Sequence, residues 1–178
     1  MTSVMEKLDR SKCSLRPETE QLLNQQVGME AGSAAHYLAM ASWCDTQGYK
    51  QAAEFLYHHA EEEKAHMLKL FHYINDVGGH AMHPEITGIQ HEFKSFRQVF
   101  ELALAQEIEV TQSIHHLVDH CLAVKDFSTF NFLQWFVAEQ IEEEIVTRRA
   151  IELFDVIGEE GIGRYTIDKA LKKLKGKS

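Results

Sequence analysis

The chain of 178 residues is poor in residues that break or crosslink a polypeptide: it has two prolines, three cysteines and ten glycines, most of the glycines in a few clusters. With proline only at Pro17 and Pro84, stretches of roughly 30 residues run uninterrupted, long enough for helices of ~45 Å. Cys13, Cys44 and Cys121 are odd in number and lack CxxC spacing. That argues against a disulfide scaffold or a zinc-thiolate site and fits a reducing cytoplasm. Long apolar runs are missing too. No stretch reaches about 18 apolar residues, and residues 1–14 hold no apolar segment, so neither a membrane span nor a secretory signal is expected. Basic charge is scarce: 18 Lys and Arg against 27 Asp and Glu leave a net charge of −9, which disfavours a nucleic-acid partner. Such acidity serves cation attraction and plain solubility equally well. What remains, 44% apolar and 25% charged residues, is the composition of a globular domain and excludes a disordered chain.

Apolar periodicity marks four long helical segments, over residues 17–47, 50–77, 95–124, and from Asp126 or Ser128 to 157. Pro17 suits a first helical position, Gly48 and Gly78-Gly79 are stops, and Ser95 is a candidate N-cap. A short amphipathic piece follows over 165–174, before a lysine-rich end. Residues 1–16 read as an N-terminal extension and 17–178 as one domain. Short links within the first and second pairs make antiparallel neighbours, whereas the connection over 80–94 is long enough to cross the whole length of a bundle. The pattern predicts an all-α four-helix bundle with one long crossover and a short fifth C-terminal helix.

The apolar seam of each long segment is interrupted at mid-height. The first reads Leu23, Val27, Glu30, Ala34, Tyr37, Ala41; the second Leu56, Ala60, Glu63, Met67, Leu70, Ile74, with His66 on nearly the same face. The third reads Phe100, Ala103, Glu107, Val110, Ile114, Leu117. The fourth reads Leu133, Phe136 or Val137, Gln140, Glu143 or Glu144, Thr147, Ile151. Three buried glutamates facing one another repel and need a compensating cation. Glu63-x-x-His66 places a carboxylate and an imidazole within reach of one ion, a donor set suited to iron or manganese. A lone ExxH recurs by chance in helical proteins, and an isolated glutamate is usually solvated or salt-bridged. Four coincident polar interruptions, one per helix, favour a metal site.

The acids Glu139, Glu142 and Glu143 share one helix face, and Glu62 adjoins Glu63. They form either a second carboxylate patch beside the first site or an ordinary solvated surface. His58, His59, His115, His116 and His120 read as surface or interhelical hydrogen-bonding residues rather than ligands.

The segments Phe55-Leu56-Tyr57-His58-His59-Ala60-Glu61-Glu62-Glu63-Lys64-Ala65-His66 and Thr129-Phe130-Asn131-Phe132-Leu133-Gln134-Trp135-Phe136-Val137-Ala138-Glu139-Gln140-Ile141-Glu142-Glu143-Glu144 resemble the ferritin family, most closely its bacterial non-haem branch. The resemblance spans roughly residues 20–174. It implies a ferritin-like fold and a ferroxidase centre in which Glu30, Glu63 and His66 hold a first iron and Glu63 bridges. Glu107 completes a second iron position, with Gln140 close by and Glu143 a further carboxylate. Glu62, Glu139, Glu142 and Glu143 match a third iron site, and Tyr37 the family's tyrosine beside the centre. It further implies a cytoplasmic homo-oligomer of 24 subunits that takes up Fe²⁺, oxidises it with O₂ or H₂O₂ and stores ferric mineral, with neither nucleic acid nor membrane as partner.

The departures are informative. Gln140-x-x-Glu143 replaces the second ExxH of bacterioferritins, and Lys64 stands where their haem-ligating methionine follows the bridging glutamate, so no haem is expected. Rubrerythrins need four paired cysteines. Phe130 and Leu133 stand where animal heavy chains carry pore-lining acids, so their iron entry route does not transfer. A non-storage diiron oxidase or peroxidase is the competing expectation, and a metal-buffering or shell subunit without catalysis the third.

Overall fold

The computed structural model describes residues 13–174. Of the extension anticipated over 1–16, residues 1–12 lie outside the described residues, as do 175–178 at the far end of the anticipated domain. Five helices and no strand are present among the described residues. Pro17 opens α1 (Pro17–Thr46), where its missing N–H removes one of the orphan donors of a helix start. Gly48, at φ 87°, turns the chain into α2 (Lys50–Asp76). An extended crossover then leads to α3 (Phe96–Val124), whose Ser95 Oγ accepts from the Gln98 amide at 3.1 Å while Gln98 Oε1 accepts from the Lys94 amide at 2.6 Å. Asp126, not Ser128, caps α4 (Phe127–Ile157), accepting from the Thr129 amide at 3.0 Å and the Thr129 hydroxyl at 2.8 Å. The fifth helix, α5 (Gly163–Leu171), starts two residues before its predicted position and ends three before. Gly163 opens the helix, and a Cβ there would stand 2.0 Å from the Gly158 carbonyl oxygen, so this glycine is required by close packing and is not a loop residue.

Helices α1 and α2 pair, α3 and α4 pair, α1 also lies against α3, and α5 packs on α2 and α4. This is the predicted four-helix bundle with its crossover and short fifth helix. Its interior is divided. One apolar core, built around Leu56, Phe96, Phe100 and Phe154, occupies the α5 end; the other holds Leu23, Val27, Leu70, Ile114, Leu133 and Phe136. Each fully buried Leu, Ile or Phe adds about 1.5–3 kcal/mol, so both halves contribute to holding the four helices together. On every long helix the two cores are separated by the polar interruptions of the seam. Among the described residues no helix is long and apolar enough to cross a membrane.

α5 is tied down by a buried carboxylate. Oδ1 of Asp168 accepts from the backbone amides of Gln51 at 3.0 Å and Ala52 at 2.9 Å. It thereby caps α2, whose own N-cap residue Tyr49 supplies no side-chain acceptor. Asp168→Ala leaves those donors unmet and should cost about 1.5–3 kcal/mol, lowering the thermal denaturation midpoint. Asp168→Asn, which keeps an acceptor oxygen, should recover part of the loss. An unchanged midpoint in the alanine variant would show that the apolar contacts alone seat α5.

Candidate metal centre

Glu30 of α1, Glu63 and His66 of α2, Glu107 of α3, and Gln140 and Glu143 of α4 all lie in the layer between the two cores, each at most 5% exposed. Of the pairs that periodicity left open, the helix turns Phe136 and Glu143 inward and leaves Val137 and Glu144 half-buried. A buried carboxylate without compensation loses several kcal/mol of hydration free energy, so its partners decide what the layer can do.

Glu30, Glu63 and His66 converge, with one ligand atom from each lying within 4.8 Å of the others. His66 Nδ1 stands 3.6 Å from Oε2 of Glu63 and 4.0 Å from Oε2 of Glu30. Among the described residues Oε2 of Glu30, both oxygens of Glu63 and Nδ1 of His66 have no hydrogen-bond partner. Donor atoms that share a first-row ion at about 2.0–2.2 Å stand about 3–4 Å apart. The observed spacings are those of ligands around one cation. The remaining Glu30 oxygen is oriented: Gln26 Nε2 donates to Oε1 at 2.8 Å, and the Ser113 hydroxyl fixes that amide by donating to its oxygen at 2.6 Å. The edges of the Trp135 and Phe136 rings wall the His66 imidazole.

Glu107 is held differently. The Tyr37 hydroxyl donates to its Oε1 at 2.5 Å, and Gln140 Nε2 approaches its Oε2 at 3.3 Å. Both oxygens are therefore engaged, and Glu107 joins no three-residue ligand group among the described residues. Glu143 belongs to two such groups, one with His66 and Glu139 and one with His59 and Glu62. The four acids expected in a second patch are thus divided: Glu62 and Glu139 face Glu143 from different sides, and Glu142, half-buried, enters neither group.

Burial, then the charge of Glu63, raises the Glu30 carboxyl well above its ordinary 4.5. Burial and Glu107 do the same to Glu63. Glu107 is pushed up to about 7 by burial and Glu143, against the lowering effect of the Tyr37 and Gln140 hydrogen bonds. Burial also opposes ionisation of Glu143, yet the neighbouring imidazoles, His59 foremost, bring its carboxyl below the ordinary value. The Tyr37 hydroxyl is raised well above 10 by burial and Glu107, which keeps it a donor. Without a cation the layer holds protons. With one it has oxygen and imidazole ligands and no thiolate, the preference of iron or manganese.

Two participants escaped the sequence reading. His59 is 4% exposed, and of the alternatives given for it the interhelical one describes its place between α2 and α4. Its signal was its spacing: residues 59, 63 and 66 lie on one helix face at steps of four and three. Gln26, one turn before Glu30, carried the same signal. The crossover residues His80, His83 and His91 are exposed and enter no ligand group among the described residues.

Comparison with known proteins gives a consistent result. The ferritin-like domain family matches residues 20–156. The chain is 42% identical over 160 residues to the bacterial non-haem ferritin of Campylobacter jejuni, covering 90% of this chain and 96% of that protein. Among solved structures, the open-pore ferritin of Archaeoglobus fulgidus superposes with a TM-score of 0.87 at 34% identity, covering 91% of this chain and 99% of that one. Chlorobium tepidum ferritin superposes with a TM-score of 0.80 at 43% identity, covering 89% and 98%.

The raised carboxyls fix the sign of a pH effect. A carboxyl titrating higher in the folded state than in the unfolded chain contributes stability that is complete below 4.5 and is lost as the pH rises through its folded value. His59, held above its ordinary 6.5 by the flanking acids against the effect of burial, acts in the same direction. The lowered Glu143 acts oppositely, but its window lies below 4.5. Chelator-treated protein should therefore lose stability between about pH 5 and 8, with Glu107 alone accounting for on the order of 3 kcal/mol. Thermal scans across that range should show a falling midpoint, flattened by Glu107→Gln and abolished by saturating Zn²⁺.

Proposed function

The chain belongs to the ferritin family, and from that premise we propose that it is an iron-storing ferroxidase with an intrasubunit diiron centre. The single observation that carries the reading is the convergence of unpartnered donor atoms from Glu30, Glu63 and His66 between two apolar cores. Fe²⁺ is the substrate. Glu30, Glu63 and His66 take the first ion; Glu107 takes the second, with Glu63 bridging, Gln140 close by and Glu143 as a further carboxylate. Each ion gives up one electron to O₂ or H₂O₂ and leaves as Fe³⁺. Carboxylates favour the higher charge, and a site closed at both ends by apolar side chains keeps bulk water out. Glu62, Glu139 and Glu142, with Glu143, receive a further iron. The subunits assemble into a cytoplasmic shell of 24 that holds the ferric mineral; no haem, nucleic acid or membrane takes part.

Tyr37 couples the centre to its surroundings. Its hydroxyl already donates to Glu107 and its ring stacks on His59 at a centroid distance of 5.3 Å. In this reading it supplies an electron during oxidant reduction.

Two measurements test the assignment. Glu63→Ala should lower the rate of Fe²⁺ oxidation in stopped-flow by at least about 100-fold, to the rate of free iron, without changing the native mass. The apo-bundle should stay folded, because the lost carboxyl is one whose ionisation burial and its acidic neighbours oppose. A wild-type native mass of a monomer or dimer would instead favour a non-storage diiron oxidase. Tyr37→Phe keeps the ring and deletes the hydroxyl. The tyrosyl radical trapped by freeze-quenching wild-type protein should disappear in that variant, and its oxidation should slow a few-fold; unaltered signals would make Tyr37 a packing residue only.

A further inference from the structure

Thr111 and Glu144 stand outside the ligand set just proposed, yet their hydrogen bonds reach into it. Glu144 joins two donors: Thr111 Oγ1 donates to its Oε1 at 2.8 Å, and Arg148 Nη2 donates to its Oε2 at 3.0 Å. The Glu144 side chain is 23% exposed and that of Arg148 47%. A cavity of about 330 Å³ between α3 and α4 is lined by Thr111, Glu144 and Arg148 together with Gln140. Nε2 of Gln140 lies 3.4 Å from Thr111 Oγ1, 3.3 Å from Oε2 of Glu107 and 3.3 Å from the Glu107 carbonyl oxygen. One amide nitrogen thus faces three acceptors, two of them on Glu107.

The direction of each bond in this series is decided at its ends. Both oxygens of Glu144 accept, which uses up the single hydrogen of the Thr111 hydroxyl. Only lone pairs of that hydroxyl are left for Gln140, so Gln140 has to present its amide nitrogen there. Glu107 accepts from the same nitrogen. Turned over, the amide would set its oxygen against the lone pairs of Thr111 and Glu107 together. Glu107 enforces the orientation only while its own oxygens are free, because a cation bound there takes up their lone pairs. Thr111 enforces it in either state, since Glu144 commits its hydrogen from the far side.

We propose that Thr111 and Glu144 are positioning residues for the second ion: they hold Gln140 with its amide nitrogen on Glu107 and so keep that carboxylate in place. The proposal rests on the diiron reading, since the ion concerned is the one assigned to Glu107. Glu144, the half-buried neighbour of Glu143 on the α4 seam, thereby serves the centre without entering it. The first ion has a network of its own, in which Ser113 fixes Gln26 and Gln26 fixes Glu30. The two networks share no residue. Disturbing Thr111 or Glu144 should therefore weaken the second ion and leave the first alone.

Zn²⁺ is the probe, because it accepts oxygen and imidazole ligands and has no redox chemistry. The assembled, chelator-treated protein is titrated calorimetrically, and Glu107→Ala identifies the second ion as the one that this variant fails to bind. Thr111→Val keeps the shape of the side chain and deletes the hydroxyl. It should bind the second ion about 10- to 100-fold more weakly, with the affinity for the first unchanged. Thr111→Ser, which keeps the hydroxyl, should restore wild-type binding. Glu144→Ala should reproduce the valine result, and decides on the same criterion if Thr111→Val does not fold. Unaltered affinity for the second ion overturns the proposal. Equal weakening of both ions overturns it too, as the mark of a loosened bundle. If Glu107→Ala itself loses no ion, the second position of the diiron reading falls and takes the proposal with it. If Glu107→Ala loses the ion and Thr111→Val does not, the proposal falls alone.

Discussion

Everything at the middle of this bundle follows from one electrostatic conflict. Glu30, Glu63 and Glu107 are each at most 1% exposed, lie in one layer and have no lysine or arginine beside them among the described residues. Ionised together they repel; protonated together they give up the charge for which their burial cost was met. The structure sustains the conflict because the two apolar cores on either side hold the helices in place without help from the polar layer. Stability and site chemistry are thus assigned to different slices of the same four helices. A cation bound in the layer resolves the conflict without any change of fold.

Hydrogen bonds divide the layer into unequal halves. On the α1–α2 side Glu63 and His66 present bare donor atoms, and Glu30 is bonded through one oxygen only. On the α3–α4 side Glu107 is already bonded to Tyr37 and Gln140. Gln140 is itself within 3.4 Å of the Thr111 hydroxyl, which donates to Glu144 at 2.8 Å, and Glu144 accepts from Arg148 at 3.0 Å. A chain of polar contacts therefore runs from the second carboxylate to the surface, while the first three ligands wait on apolar walls. An ion entering beside Glu63 displaces nothing. One that binds Glu107 has to take over from a phenol.

Most of this was legible because helical periodicity converts sequence position into direction. Glu30, Glu63, Glu107 and Gln140 are polar residues standing where the seam calls for an apolar one, and each is buried at that height. The same rule lost resolution wherever two adjacent residues straddle the seam, as with Phe136 and Val137 or Glu143 and Glu144, because 3.6 residues per turn leaves about 100° between neighbours. It also passed over Ser33, which is buried where Ala34 was expected to be. The start of α5 was hidden because Gly163 resembles a loop residue in sequence, and only the proximity of the Gly158 carbonyl shows why it has to lack a side chain. His59 was concealed by context. Next to His58 and the acidic run over residues 61–63 it reads as a surface residue, whereas its burial depends on Phe55 of its own helix and Tyr37 of α1.

Glu143 shows why pairwise spacing could not have sorted the acids of α4. It is the only acid of that helix that is fully buried, and it lies within reach of His59 on one side and of His66 on the other. Glu139 and Glu142, one turn back and one residue back, fall to either side of it and stay half-buried. What assigns each carboxylate is the imidazole opposite it on α2, and those imidazoles are seven residues apart along a single helix face. The geometry of α2 therefore determines which acids of α4 meet, and α2 is itself capped by Asp168 of α5 at 3.0 and 2.9 Å. The short fifth helix, although it contributes nothing to the centre, closes the cavity beside His59 and anchors the start of the helix that carries Glu62, Glu63 and His66. Its position links the edge of the bundle to the register of the buried layer.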